Sequence, residues 1–469
     1  MNIIFGTDGW RALLDKEINS ETVSIVAQAF ADYLNNNFEN PSAAIGFDGR
    51  KYSKEFADIF AQVLSGNHIN VSLSVAITPT PVVSYFIKHG NFSAGAMITA
   101  SHNPAEYNGI KFKANYGGPF FTEETHKIEA LLNKSEIKKS KDKIVIEDFS
   151  VPYLRQIYKL VDFDAISNSG LSVLVDSMAG AGQTLLQDIL LETDLEIDTI
   201  YGEAEEDFAG RNAEPIEKNL KELSEILRNS DYSIGLATDG DADRCGVMLD
   251  TGDWLSAQDT ILLLSDFIKN EKKISGGLVK TSSVTNKLKE YFENKDCKVY
   301  DDVQVGFKYI CEKMIEADIA FGAEESGGFG YKYHIPERDG ILSSLFMIEM
   351  LAKSGFKKLS QLVEFKRKKF GKIYYDRIDH PYHKDDRNEL LPNLFSKNLR
   401  SIKNFEVESI IEFYSSRNII NGLKFNLKGG SRWLLMRSSE TEPLVRIYAE
   451  GNSDKEVVEL LNAGMELIS

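Results

Sequence analysis

The chain has 469 residues, three to four domains by length and too many for one hydrophobic core. At 42% hydrophobic and 27% charged it has the composition of an ordinary soluble globular protein. The net charge of −17 argues against nucleic acid or an anionic membrane surface as partner, so an anionic ligand must be met by Arg and Lys gathered locally.

In chain order, "MNIIFGTDGW" lacks a basic segment followed by an apolar stretch, so it shows no signal peptide. No apolar run approaches the roughly 20 residues that span a bilayer, and a cytoplasmic location is expected. "AAIGFD" (43–48) reads as a strand, and residues 54–66 follow with Phe56, Ile59, Phe60, Val63 and Leu64 at helical spacing. "ITASHNP" (98–104) places Ser101 at the end of another apolar run, and "NGIK" puts Lys111 on the next strand. The lysine-rich stretch 133–143 is a linker or exposed loop. "LSVLVD" (171–176) and "GGLVKT" (276–281), each before an amphipathic stretch, repeat the strand–turn–helix scheme. The repetition predicts three similar α/β domains with mixed or parallel sheets. The basic run at 365–372 reads as a solvated helix end near a boundary. "GLKFNL", "RWLLMR" and "LVRIYAE" read as strands, and "SDKE" (453–456) caps a helix, making a smaller C-terminal α+β domain. The expected divisions are 1–145, 146–252, 253–365 and 366–469. Cys245, Cys297 and Cys311 are too few and too scattered for a disulfide framework.

Three stretches carry candidate chemistry. In "TDGDADRCGV" (238–247), Asp239, Asp241 and Asp243 alternate, so an extended loop turns all three carboxylates toward one point. Such a cluster repels itself unless a cation sits within it, and a hard divalent ion with oxygen ligands fits. An EF-hand does not: its sixth position needs Gly and holds Arg244, its twelfth needs Glu and holds Asp250, and the flanks read as strands. "GAEESGGFGY" (322–331) offers Glu324 and Ser326 to sugar hydroxyls; alone it reads equally as a Gly-rich surface turn. In "RSSETEPLVR" (437–446), Arg437, Ser439, Thr441 and Arg446 make a candidate phosphate site; alone they read equally as turn residues beside two surface arginines. A Ser–His–Asp hydrolase is disfavoured. Ser101 lacks the G-x-S-x-G elbow, and His102, as its immediate neighbour, diverges from it. A metal loop with an arginine-lined anion site suits phosphoryl transfer better than acyl transfer.

With "FGTDGWR" at the start, these motifs resemble the α-D-phosphohexomutase family, in its bacterial phosphoglucomutase/phosphomannomutase branch, from residue 5 to residue 450. The resemblance implies four domains around a central cleft. It implies that Ser101 carries the phosphoryl group and that Asp239, Asp241, Asp243 and a phosphoserine oxygen hold Mg²⁺. Arg11 would lie near the phosphoserine, with Lys111 as general acid/base and His102 within the catalytic motif. Arg244, Glu324, Ser326, Arg437, Ser439, Thr441 and Arg446 would bind substrate, joined by Lys280 and Lys308 from the third domain. The implied reaction interconverts hexose 1- and 6-phosphates through a bisphosphate, with glucose 1,6-bisphosphate as activator. "EES" favours glucose; phosphomannomutase or dual specificity is the alternative, and a metal-dependent sugar phosphatase the remoter one. Glu440 departs from the family's Gly and is expected to point to solvent; Ala12 replaces a common Gly after Arg11. To act as a base, Lys111 is expected to have its pKa lowered from about 10.4 by cationic or desolvated surroundings. The fourth domain is expected to close over the substrate and exclude water.

Overall fold

A computed structural model describes residues 3–6, 8–293, 295–384, 386–415, 417–439 and 443–468. Glu440 and Thr441 lie outside the described residues. The architecture is three α/β domains followed by a smaller α+β domain, and each has its own sheet. The first sheet runs in the spatial order Trp10–Leu13, Tyr107–Ala114, Ala94–Ile98, Ser42–Phe47, Asn70–Ser74, Ile144–Glu147. Its last four strands are parallel, and Tyr107–Ala114 pairs antiparallel with both of its neighbours. The periodic stretch forms the helix Ser53–Gly66, which buries Phe56, Phe60, Val63 and Leu64. Each such side chain contributes about 1.5–3 kcal/mol relative to an exposed one.

The second sheet is ordered Trp254–Leu255, Cys245–Leu249, Ile234–Thr238, Ser172–Asp176, Glu196–Ile200, and the third Val299–Val303, Gly277–Thr281, Ile319–Ala323, Phe329–Tyr331. The fourth is antiparallel throughout: Tyr374–Pro381, Leu444–Gly451, Arg432–Ser438, Ile420–Leu427, Phe405–Tyr414, Ser401–Ile402. Phe86, Phe149, Leu262 and Phe346 belong to one apolar core running through the first three domains, whereas Phe425, Leu434 and Leu460 form a separate core in the fourth. Among the described residues no helix is long and apolar enough to cross a membrane.

Two expected helices are shorter than their apolar spacing predicts. After Asp176 the helix covers only Leu185–Leu190. Gly180 and Gly182 instead press against the 238–242 loop, where added Cβ atoms would come within 2.9 Å of the Gly240 carbonyl and 2.7 Å of the Thr238 hydroxyl. After Thr281 the helix starts only at Lys287, because Thr285 and Asn286 are bonded to Gln258 and Glu450. The basic run at 365–372 is not a free solvated end. Lys366 pairs with Asp266 at 2.6 Å, and Arg367 makes a two-pronged contact with Asp259 at 2.9 and 3.2 Å. Residues 133–143 form an exposed loop leading to the edge strand Ile144–Glu147.

Candidate active site

The strand Ala94–Ile98 ends in a turn that holds Ser101 with φ +55°, fully buried. The Ser101 N–H donates to the Thr99 hydroxyl at 2.8 Å, and Oγ donates to Asp239 Oδ2 at 3.1 Å. The facing loop joins two antiparallel strands, with Thr238 paired to Cys245. It brings one oxygen from each of Asp239, Asp241 and Asp243 within 4.8 Å of the others. Asp239 Oδ1 accepts the N–H groups of Asp243 at 2.9 Å and Arg244 at 3.1 Å, which folds the loop around the carboxylate. Thr80 Oγ1 donates to Asp241 Oδ2 at 2.5 Å.

Asp241 Oδ1 and Asp243 Oδ1 are buried with no hydrogen-bond partner. Two orphaned carboxylate oxygens beside a third carboxylate and a serine hydroxyl form a donor set that fits a hard divalent cation. Burial first, then Asp243 and Asp241, pushes Asp239 well above the usual carboxylate range. Burial would raise Asp241 too, but the Lys111 ammonium at 2.7 Å holds it below its ordinary value.

Lys111 corrects the expected direction. Its ammonium contacts Asp241 at 2.7 Å, Asp243 at 2.9 Å and Asp8 at 3.4 Å. Burial alone would lower its pKa, but the three carboxylates raise it above the ordinary lysine value, so Lys111 is held as a cation. His102 goes the other way. Burial, then Arg244, Arg11, Lys111 and Arg446, hold its pKa well below 6.5, and its buried Nδ1 has no partner.

Arg11 donates to Asn103 Oδ1 at 3.0 Å, beside the serine turn. Arg244 lies 3.8 Å from Asp239 and 3.9 Å from Asp243. Glu324 accepts from Ser326 at 2.6 Å and from Arg338 at 3.2 Å. This loop is sewn to the aspartate loop by the Cys245 N–H on the Gly327 carbonyl at 2.9 Å. Gly327 has φ +86°, and a Cβ there would sit 2.7 Å from the Cys245 carbonyl, so the close approach requires glycine. Arg437 and Arg446 lie directly opposite each other on paired antiparallel strands. Like charges so placed are destabilising; Asp379, 3.6 Å from Arg446, offsets part of the repulsion, and a bound anion would offset more. The Ser439 N–H donates to the Leu444 carbonyl at 3.0 Å. A cavity of about 610 Å³ is lined by Gly6 and His126 of the first domain and by Arg387, Arg417, Ser438 and Ser439 of the fourth. Of the two lysines expected from the third domain, Lys280 donates to the Val284 carbonyl at 2.9 Å and Lys308 to the Thr122 hydroxyl of the first domain at 2.7 Å.

Asp8, Thr80 and Arg338 were not singled out from the sequence. Arg338 joins three motifs, reaching Asp8 at 2.6 Å, Asp243 at 2.8 Å and Glu324 at 3.2 Å. The available signal was a charged residue inside a turn, Asp8 in "GTDGW" and Arg338 in "PERDG".

The models of phosphoglucomutase/phosphomannomutase α/β/α domains I, II and III match residues 2–139, 151–252 and 257–370, and that of the family's C-terminal domain matches 396–466. A phosphoglucomutase/phosphomannomutase of Thermococcus kodakarensis is 30% identical over 100% of this chain and 99% of its own. A phosphoglucosamine mutase of Methanocaldococcus jannaschii is 30% identical over 100% and 98%. A crystal structure from Thermus thermophilus, assigned provisionally as a phosphomannomutase, superimposes with a TM-score of 0.86 at 31% identity, covering 100% and 99% of the two chains.

Proposed function

Since the chain belongs to the phosphoglucomutase/phosphomannomutase family and is an isomerase of the phosphohexomutase class, we propose that it interconverts glucose 1-phosphate and glucose 6-phosphate through a phosphoserine and glucose 1,6-bisphosphate. The observation that carries this reading is the buried Ser101 hydroxyl 3.1 Å from the aspartate triad, whose orphaned oxygens call for a cation. Asp239, Asp241 and Asp243 would hold Mg²⁺, which when bound offsets charge on the transferring phosphoryl group. In the first half-reaction the P–Oγ bond of phosphoserine breaks and a bond from phosphorus to the free sugar hydroxyl oxygen forms. Lys111, held cationic, gives a proton to Ser101 Oγ as the phosphoryl group departs and takes up the proton that the attacking sugar hydroxyl loses, so it ends the half-reaction as a cation. In the second half the relay reverses: Lys111 takes the Ser101 Oγ proton as Ser101 attacks the other phosphate of the reoriented bisphosphate and returns one to the departing sugar oxygen. Arg437 and Arg446 would grip whichever phosphate is not reacting, and Glu324 and Ser326 the sugar hydroxyls. Neutral His102 adds no competing positive charge beside Arg11 and Arg244.

The Methanocaldococcus relative, a phosphoglucosamine mutase equally identical to this chain, favours amino sugars as the second reading. Phosphorus NMR on glucose, mannose and glucosamine 1-phosphates, each with its bisphosphate and Mg²⁺, separates them by kcat/KM. The expected order puts glucose ahead of glucosamine by at least about tenfold, or 1.4 kcal/mol in transition-state binding. Glucosamine ahead of glucose would overturn the glucose assignment, and free phosphate without isomer would replace the mutase with a phosphatase.

A further inference from the structure

Arg50 lies in the turn between the strand Ser42–Phe47 and the helix Ser53–Gly66, in "FDGR", and is 3% exposed. Its guanidinium contributes no side chain to the triad. It donates instead to four backbone carbonyls of the serine turn: Ser101 and Asn103 at 2.6 Å each, Pro104 at 2.8 Å and Tyr107 at 3.0 Å. Its Nε faces Asp48 at 3.2 Å, and its carbon centre stacks over the Phe208 ring at 4.6 Å. Asp48 in turn accepts from the Arg50 N–H at 3.0 Å and from the Ser53 hydroxyl at 2.6 Å, which anchors the pair to the start of the helix Ser53–Gly66. The carbonyl side of Ser101 is therefore tied to one buried ion pair, and its N–H is held separately by the Thr99 hydroxyl. Between them Ser101 has φ +55°, a conformation that costs a non-glycine residue on the order of 1–3 kcal/mol and persists only where its surroundings over-determine it.

We propose that Asp48 and Arg50 form a positioning clamp that holds the Ser101 backbone in the left-handed conformation from which Oγ faces the aspartate triad. Both act through the turn and neither touches the reacting atoms. The inference rests on the reading that Ser101 carries the phosphoryl group. A planar fork suits the work because one guanidinium serves four acceptors from two nitrogens, which a lysine ammonium cannot match in geometry.

The test compares wild type with Arg50→Lys, Arg50→Ala and Asp48→Asn, each checked for folding by circular dichroism. For Arg50→Lys kcat is expected to fall about 100-fold, the scale of a roughly 1 Å misplacement, with KM within about threefold of wild type. Free guanidinium is expected to restore kcat in Arg50→Ala, and ammonium is not. Amides of residues 101–107 are expected to exchange hydrogen at least tenfold faster in Arg50→Lys, a readout independent of catalysis. Wild-type kcat in a folded Arg50→Lys, or unchanged exchange across 101–107, would overturn the clamp. If the Arg50 variants do not fold, Asp48→Asn, which removes the charge facing Arg50 Nε, decides: reduced kcat at unchanged KM supports the clamp, and wild-type kcat overturns it. A wild-type enzyme that isomerises no sugar phosphate would remove the mutase reading, and the exchange measurement would still decide the clamp.

Discussion

The carbonyl of Ser101 is held from both sides: Arg50 donates to it, and Gly240 of the aspartate loop passes so close that a Cβ there would sit 2.5 Å away. Gly240→Ala must therefore push the aspartate loop off the serine turn. Isomerase kcat is expected to fall at least about 100-fold, the size of effect a roughly 1 Å displacement at a reacting centre produces; wild-type kcat would show that the two loops need not touch. His102 supplies a pH prediction. Burial and four neighbouring cations depress its folded pKa, so in the unfolded chain it protonates first. Its contribution is neutral above about pH 6.5, and it destabilises the fold progressively as pH falls below that value. Ring nitrogen NMR should show a neutral His102 at pH 5.5, and an imidazolium there would contradict the electrostatics described. At this scale the charge-bearing motifs were legible because aspartate alternation and paired arginines are local patterns. Arg50 and Arg338 were not, because the partners that bring them to the site, Ser101 and Asp8, lie 51 and 330 residues away along the chain. The direction of the Lys111 shift was not legible either. It depends on three carboxylates that only the fold brings to it.

Helices Ala257–Asp266 and Leu359–Phe370 are joined by the basic run that spacing alone assigns to solvent. Asp266 is 1% exposed and accepts from Lys366 at 2.6 Å, Tyr291 at 2.6 Å and Asn270 at 2.5 Å. Burial would raise its pKa, but Lys366 and Tyr291 bring it below the usual value. The pair therefore adds stability above about pH 4, and that stability is lost as pH falls through the folded value. Lys366→Met leaves the buried Asp266 carboxylate with only the more exposed Lys369 at 3.5 Å as a cation and is expected to cost up to about 3 kcal/mol. Denaturant midpoints check this; a loss under about 1 kcal/mol would mean that Asp266 is rehydrated. Strand–helix units with clean periodicity, such as 43–48 followed by 54–66, were legible. The shortened helices at Leu185–Leu190 and Lys287–Glu293 were not. Their first residues pack or bond to other segments, Gly182 against Thr238 and Asn286 onto Glu450, and those contacts override local propensity.

The first three domains share an apolar core, and the fourth meets the third through polar contacts beside a small apolar cluster in which Val305 packs with Phe413 and Trp433. Glu325 faces Arg377 at 3.3 Å, Gln304 donates to the Tyr414 carbonyl at 2.8 Å, and Ser431 donates to Glu290 at 2.5 Å. Polar junctions of this kind permit relative domain motion. The fourth domain is therefore expected to close over the cleft, lowering the radius of gyration in small-angle scattering when glucose 1,6-bisphosphate and Mg²⁺ are added; an unchanged curve would count against closure. Domain count was legible from the repeated pattern and the change of character near the C-terminus, whereas the polar nature of this junction depends on which side chains the packing brings together. The central claim is that Ser101 carries phosphate between the two ends of a hexose. Phosphorus NMR tests it most directly, following glucose 1-phosphate with Mg²⁺ and a trace of glucose 1,6-bisphosphate, wild type beside Ser101→Ala. Glucose 6-phosphate should appear with wild type, and the variant should be slower by at least about 1,000-fold, roughly 4 kcal/mol. Equal conversion by Ser101→Ala would contradict the account.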